Sequence, residues 1–317
     1  MPATTISVVA PCFNEAESIA EFYRRTVAVF DALPEYALHL IVVDDGSTDA
    51  SLAILKQLAA ADSRLTVVEL SRNFGQEIPL SAGLDFVTGD AVVIIDSDLQ
   101  DPPEMIPQFI AKWREGFDVV YGIRPEREGE SWLKRSTARW YYRMLGKLAE
   151  VPIPLDTGNF RIMSAAVVKA LRSMPERDRY FRGMVSWVGF RQIGIEYVRN
   201  ERFAGKSKFS PSQLLALGAD GIVSFSRKPL WVTFVVGLTA ALFSIAGILW
   251  VLGLRLFTNA WVEGWAATFI AILFMGGLQL MALGVLGLYL GRVFTESKQR
   301  PLYFVRSVTN PQSGDAR

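Results

Sequence analysis

Short apolar runs rich in Val, Ile and Leu punctuate the first part of the chain: Ile6 to Ala10, Leu38 to Val43, Leu65 to Leu70, Ala91 to Ile95 and Val119 to Tyr121. Their length and branched residues predict buried strands. Between them, Glu15 to Leu33 and Thr48 to Ala61 have the composition of helices. Strands alternating with helices predict an α/β domain, a doubly wound and mostly parallel sheet covered on both faces. After Pro229 the pattern changes. Leu230 to Leu254 gives 25 consecutive residues without Asp, Glu, Lys or Arg, and Trp265 to Gly291 gives 27. Each exceeds the roughly 20 helical residues that cross a hydrocarbon core. Buried helices of a soluble protein are the competing reading, and two such runs in succession argue against it.

The organisation expected is therefore an α/β domain over residues 1–209, an amphipathic juxtamembrane segment over 210–228, two transmembrane helices within 229–291 (about 230–254 and 265–291) and a tail over 292–317. The connector Arg255 to Gly264 is short, so the spans form a hairpin with both flanks on one side. Arg227 and Lys228 precede the first span and Arg292, Lys298 and Arg300 follow the second, against Arg255 in the connector. The positive-inside rule places the α/β domain and both termini in the cytoplasm, anchored to the inner (plasma) membrane. Met1 to Val9 lacks a basic stretch followed by an apolar run of signal length, so no secretion signal is expected there.

Composition sharpens this picture. Half of the 317 residues are hydrophobic and 21% are charged, which excludes a disordered chain. Thirty-three Lys and Arg against 32 Asp and Glu leave a formal charge of +1, with no global field to attract a polyanion, so nucleic acid is not an expected partner. The single cysteine, Cys12, has no partner for an internal disulfide, which suits a reducing compartment. The single histidine, His39, lies at the edge of an apolar run and reads as a strand residue. Acid, base and metal chemistry then falls mainly to carboxylates.

In open α/β sheets ligands bind beyond the carboxyl ends of the strands. The polar segments there are Pro11-Cys12-Phe13-Asn14-Glu15, Asp44-Asp45-Gly46-Ser47-Thr48-Asp49, Ser71-Arg72-Asn73-Phe74-Gly75 and Asp96-Ser97-Asp98-Leu99-Gln100-Asp101-Pro102-Pro103. None of these strand ends carries a Gly-x-Gly-x-x-Gly or a Gly-Lys-Ser/Thr loop, so classical dinucleotide and P-loop chemistry drop out. Asp96 and Asp98 directly follow a strand, and the two-residue period of extended chain points both carboxylates the same way. They repel unless a cation sits beside them. Oxygen ligands without a Cys/His cluster point to Mg²⁺ or Mn²⁺ shared with a substrate phosphate. An isolated Asp-x-Asp is also a common solvated turn or cap; its place at a strand end shifts the balance toward the metal reading and leaves both open.

These motifs in this order, with a later Arg202-Phe-Ala-Gly-Lys-Ser-Lys208, resemble family 2 glycosyltransferases of the GT-A fold. The nearest resemblance is to the polyprenyl-phosphate branch, similar to dolichyl-phosphate mannose synthase and to bactoprenol glucosyltransferases with two C-terminal spans. It covers Ile6 to about Arg300. The resemblance implies that Pro11, Phe13, Glu15 and Asp45 hold the nucleoside, with Phe13 placed to stack on the base or, alternatively, to fill the core, and with Asp44 and Asp45 equally readable as turn or cap residues. It further implies that Asp96 approaches the ribose and the metal's water, Asp98 the metal and Gln100 the sugar. Asp49 reads as a helix cap and Asp101, before two prolines, as a helix-start signal. The resemblance also directs attention to Asp156-Thr157-Gly158-Asn159-Phe160-Arg161. Relatives often carry an acidic residue where Asn159 stands, which leaves Asp156 as the one carboxylate of that motif. A lipid phosphate is mostly dianionic at pH 7, its second pKa being near ~6, so Asp156 either removes a proton or only orients hydroxyls.

The basic loop of Arg202, Lys206, Ser207 and Lys208 suits a pyrophosphate and an acceptor phosphate, and equally an anionic membrane surface. Along Trp132 to Leu148, Arg135, Arg139, Arg143 and Lys147 recur every four residues among apolar side chains, the pattern of an interfacial helix or of a plain surface helix. Pro211 to Ser226 reads as a second interfacial element. The function expected is inverting transfer of a sugar, glucose from UDP-glucose first, to polyprenyl (undecaprenyl) phosphate at the cytoplasmic membrane face. GDP-mannose and UDP-aminoarabinose derivatives are the alternative donors. A processive synthase would need more spans and a Gln-x-x-Arg-Trp signature. A silent sugar-nucleotide sensor or membrane scaffold is the alternative of another class. The resemblance also implies a homo-oligomer, a tetramer.

Overall fold

The computed structural model describes residues 4–123, 157–177, 179–198, 228–257 and 264–311. Among them the chain forms two compact units, a sheet unit and a helical hairpin. In the sheet unit the order along the chain is β1 (Thr4–Cys12), α1 (Ile19–Asp31), β2 (Tyr36–Asp44), α2 (Ser51–Ala61), β3 (Leu65–Leu70), α3 (Glu77–Asp85), β4 (Ala91–Ile94), α4 (Ile106–Arg114) and β5 (Val119–Ile123). There follow β6 (Thr157–Ser164), α5 (Ala165–Ser173), α6 (Phe181–Trp187), β7 (Gln192–Glu196) and, after the hairpin, β8 (Val305–Thr309). The five strands expected from the apolar runs all form.

The sheet order is β7-β5-β6-β4-β1-β2-β3-β8. The strands β4, β1, β2 and β3 are parallel, and β1 and β3 are buried on both faces, which is why they read as mostly apolar rather than alternating, with Ser7, Thr66 and Glu69 as buried polar exceptions. One face packs Ile6, Val8, Leu40, Val42, Val93 and Ile95 against Phe22 of α1, Leu55 of α2 and Phe109 of α4. On the other face α3 lies so close that a Cβ on Gly83 would sit 2.4 Å from Val9 Cγ1. The first helix begins at Ile19, four residues later than Glu15. The Glu15 and Ala16 N–H groups instead donate to Ser51 Oγ (2.8 Å) and Asp49 Oδ2 (3.1 Å), so long-range bonds hold this stretch out of the helix. Phe160, fully buried, joins the halves of the core, its ring 4.6 Å from Phe109 and 5.7 Å from Tyr197. Truncating such a side chain costs about 3–5 kcal/mol.

Two strands depart from the parallel pattern. β6 runs antiparallel between β4 and β5, with Arg161 opposite both Ile94 and Tyr121. β8 runs antiparallel to β3 and closes that edge. Residues 305–309, expected within a tail, are therefore part of the sheet. Glu69 on β3 fixes β8 through Ser307 Oγ (2.7 Å) and Arg306 (3.3 Å), while Asn310 Nδ2 donates to the carbonyls of Ala59, Asp62 and Leu65. Tyr303 adds a 2.6 Å bond to Asp85.

The hairpin unit contains α7 (Lys228–Phe257) and α8 (Trp265–Ser297), which pack on each other and are both long and apolar enough to cross a membrane. Trp231, Phe243, Trp250 and Phe274 are largely exposed, an outward apolar surface that suits lipid and not water.

Candidate active site

The loops after β1 and β2 interlock. Asn14 N–H donates to Ser47 Oγ (3.0 Å), and Asn14 Oδ1 accepts from Thr48 N–H (2.8 Å). Asp49 accepts from the Ser51 N–H and from Ala16 N–H, but it is not the helix cap expected of it: the cap position of α2 is Ala50, and no side chain caps the helix. Asp44 is buried and accepts from Ser47 N–H, its carboxyl pushed up by desolvation. Asp45, 3% exposed, ties in the loop after β3: its oxygens accept from Phe74 N–H (2.8 Å) and Gly75 N–H (3.2 Å). Burial is the chief cause that pushes this carboxyl up to about 6, against those two bonds and the Arg72 charge. Gly46 permits the closure. It has φ +71°, and a Cβ there would lie 2.7 Å from the Arg72 carbonyl carbon.

Phe13 is half-buried at the rim, outside the core that takes in its neighbour Cys12 at 1% exposure. The Glu15 carboxylate accepts from Ser18 Oγ at 3.0 Å. His39 is a buried strand residue bonded to Thr66 and Thr88, as its apolar surroundings suggested.

After β4, Asp96, Ser97 and Asp98 alternate half-exposed, buried, half-exposed, although Ser97 and Asp98 lie in a turn and not in the extended chain expected from the sequence. Ser97 turns inward and donates to the Pro11 carbonyl at 2.7 Å, which joins this loop to the β1 loop. Leu99 is buried at φ +61°, a left-handed conformation that costs a branched residue about 1–2 kcal/mol. Core burial of its side chain offsets that strain and sets the turn on which Asp98 sits. Asp98 Oδ1 accepts from Gln100 N–H (3.1 Å). Asp101 is not a helix-start residue. The short 3₁₀ turn begins at Pro103 without a side-chain cap, and Asp101 is fully buried as acceptor for Tyr197 Oη.

Because β4, β1 and β2 are neighbours, Asp96, Asp98 and Gln100 come together at one end of the sheet with Pro11, Phe13, Glu15 and Asp45. Among the described residues no three His, Cys, Asp or Glu side chains converge on one point. Two half-exposed carboxylates fit a hard divalent cation such as Mg²⁺ or Mn²⁺, whose remaining ligands would have to be supplied by substrate and water. Asp156, Arg202, Lys206, Ser207, Lys208 and the proposed interfacial stretches lie outside the described residues.

A further cluster was not anticipated. Arg161, 4% exposed, donates to the Gly158 (2.9 Å) and Asn159 (3.2 Å) carbonyls, and its guanidinium lies 5.8 Å from the Phe181 ring centre. Burial first, and the Arg182 charge second, push its pKa down to about 10, so it stays charged at neutral pH. Arg182 Nε donates to Asn159 Oδ1 (3.3 Å). Glu77 Oε2 accepts from Phe181 N–H (3.0 Å), and burial raises its carboxyl against the pull of Arg182 and Arg161. Arg161 was detectable as a charge inside the apolar strand Phe160 to Met163. Glu77 and Arg182 had no local signal, since α3 and α6 meet only in the fold.

Comparison with known proteins agrees with this geometry. The family model for glycosyl transferase family 2 matches residues 7–172. A bactoprenol glucosyl transferase of Shigella phage SfX is 44% identical over 303 residues, 95% of this chain and 99% of its own. A prophage bactoprenol glucosyl transferase homolog of Escherichia coli K12 is 43% identical over 304 residues, 96% of this chain and 99% of its own. An uncharacterized glycosyltransferase of Bacillus subtilis, YkcC, is 43% identical over 303 residues, 95% and 93% of the two chains. These matches extend past the catalytic motifs through the apolar hairpin, and a silent scaffold is set aside. The chain belongs to glycosyl transferase family 2, a GT-A enzyme of the bactoprenol glucosyl transferase type.

Proposed function

We propose that the enzyme transfers glucose from UDP-glucose to polyprenyl phosphate at the cytoplasmic face of the membrane, with inversion at the anomeric carbon. The observation that carries this reading is the combination, in one chain, of a paired-carboxylate site at the β4 end with two apolar helices, matched over 95% of the chain by a bactoprenol glucosyl transferase. A phosphate oxygen of the acceptor attacks the anomeric carbon, and the bond from that carbon to the diphosphate oxygen breaks. Nucleoside diphosphate leaves with the bonding electron pair. A divalent cation held by Asp96 and Asp98 would supply charge compensation on the diphosphate. Asp45 and Phe13 hold the base, and Gln100 contacts the sugar. Arg202, Lys206, Ser207 and Lys208 receive phosphate oxygens. The acceptor arrives largely as a dianion, so Asp156 orients hydroxyls rather than removing a proton.

The topology has support from the fold. β8 belongs to the same sheet as the strands before the hairpin, so an even number of spans must separate them. Two spans with basic flanks support a cytoplasmic location for that sheet, where sugar nucleotides are found.

The test is a donor screen with purified full-length protein, short-chain polyprenyl phosphate and Mg²⁺ or Mn²⁺. UDP release that requires both UDP-glucose and the lipid, with glucosyl lipid as product, is expected. Faster transfer from GDP-mannose or a UDP-aminoarabinose would overturn the donor assignment and leave the acceptor assignment standing. Transfer to a free hydroxyl in preference to the lipid phosphate would overturn both.

A further inference from the structure

The strand order sets a sequence of positions across the end of the sheet. Asp45 follows β2, Phe13 follows β1, Asp96 and Asp98 follow β4, and Asn159 stands on β6, the next strand along. A donor whose base lies at Asp45 and whose diphosphate lies at Asp98 extends toward β6. The β6 side is therefore where its far end meets the acceptor. Arg161 faces Ile94 across the antiparallel ladder, so Asn159, two residues earlier on β6, falls at the level of Asp96, two residues beyond Ile94.

At this position the fold concentrates positive charge. Arg161 and Arg182 share one carboxylate, Glu77, and Asn159 contributes a dipole but no charge. Arg161 gives Nε to the Asn159 carbonyl and Nη2 to the Gly158 carbonyl, and at 4% exposure it is buried away from a ligand. Arg182 differs. It is half-buried, and among the described residues its side chain bonds through Nε alone, to Asn159 Oδ1. The end-on pair of Nη groups is left as a planar double donor, the geometry that matches two oxygens of a phosphate.

We propose that Arg182 contacts the phosphate of the lipid acceptor and that Asn159 positions it by holding Nε. This rests on the reading of the enzyme as a polyprenyl-phosphate glycosyltransferase and adds a residue to the acceptor side of the same site. Asn159 acquires a reason to be neutral: a carboxylate there would pair with Arg182 and compete with the incoming phosphate.

The experiment uses the full-length protein in detergent, with UDP-glucose or whichever donor the wild type accepts, and compares Arg182→Gln, Arg182→Lys and Asn159→Leu. Loss of a charge-assisted contact predicts an apparent KM for polyprenyl phosphate about tenfold or more higher in Arg182→Gln, with donor KM within about twofold of wild type. Arg182→Lys should restore part of the loss, and Asn159→Leu should reproduce a smaller increase. A binding arm without donor compares farnesyl phosphate with farnesol. Wild type should prefer the phosphate, and Arg182→Gln should lose that preference, with unaltered donor binding showing that the variant is folded. Unchanged acceptor KM and an intact preference for the phosphate would overturn the proposal, as would a rise confined to donor KM. Absence of transfer by the wild type itself would instead count against the proposed function, while the farnesyl phosphate arm would still decide the role of Arg182.

Discussion

Asp45 couples the stability of the strand-end loops to pH, and Asp45→Asn isolates that coupling. In the folded enzyme the carboxyl is raised from 3.8 to about 6, mainly by burial. Each unit is worth about 1.36 kcal/mol, so ionising Asp45 costs the folded state at most about 3 kcal/mol. The direction follows from the raised value. The folded state binds this proton more tightly than the unfolded chain, so the contribution is fully present below pH ~4 and is lost as pH rises through about 6. Asparagine keeps the shape and one acceptor for Phe74 N–H, but it turns an amide toward Gly75 N–H and forfeits about 1 kcal/mol there. The variant should thus be less stable than wild type near pH 4.5 and should close or reverse that gap by pH 7. Thermal unfolding of both full-length proteins across this range should show their melting temperatures converging by several degrees. Binding of intact nucleotide sugar supplies a second readout. The diphosphate diester has no ionisation near 6, so donor affinity should rise through about pH 6 in wild type, as Asp45 becomes an ionised acceptor, and should be weaker and flat in the variant. Parallel melting curves together with pH-independent donor binding in wild type would refute both the burial cost and the contact with the base.

Asn310→Ala should destabilise the sheet unit by about 2–3 kcal/mol, since it removes the bonds to the α2–β3 connection and puts alanine at φ +53°, whereas Asn310→Gly should recover only the backbone part; proteolysis of the C-terminal segment reads both. Asp98→Ala should slow transfer on the order of a hundredfold or more and abolish the divalent-cation dependence of donor binding, and chelator-insensitive activity in wild type would remove the metal assignment. Cys12 is buried, with its thiol pushed up by desolvation and by the nearby Asp44 and Glu15 carboxylates, so it should resist maleimide until the protein unfolds. Asn259→Cys can then be labelled on the native background, and reaction only from the cytoplasmic side would reverse the orientation. Lys206→Glu should raise the requirement for polyprenyl phosphate more than Asp156→Asn does between pH 6 and 8; total loss in Asp156→Asn with Lys206→Glu nearly normal would make Asp156 a base.

The features legible in the sequence were those that repeat along it. Strands buried on both faces are apolar at most positions, as at Val8, Val9 and Ala10, and a segment that crosses lipid must be uncharged for its whole length. The strand-end motifs were legible because a parallel sheet always presents those ends together. What the tertiary structure decided are contacts between residues far apart in the chain. Glu69 meets Ser307 across 238 residues, Tyr197 meets Asp101 across 96, and Phe181 N–H meets Glu77 across 104. An edge strand such as β8 is short and half-exposed, with polar Arg306 and Ser307, so nothing in its composition separates it from a tail. Its pairing comes from the open edge of β3 and from Glu69, a carboxylate that is 6% exposed and meets Lys56, Arg306 and Ser307 only in the folded chain. In the same way Arg182 is one more arginine along the sequence, and it becomes a candidate ligand for phosphate only when α6 packs against α3 and β6, with Asn159 holding one edge of its guanidinium.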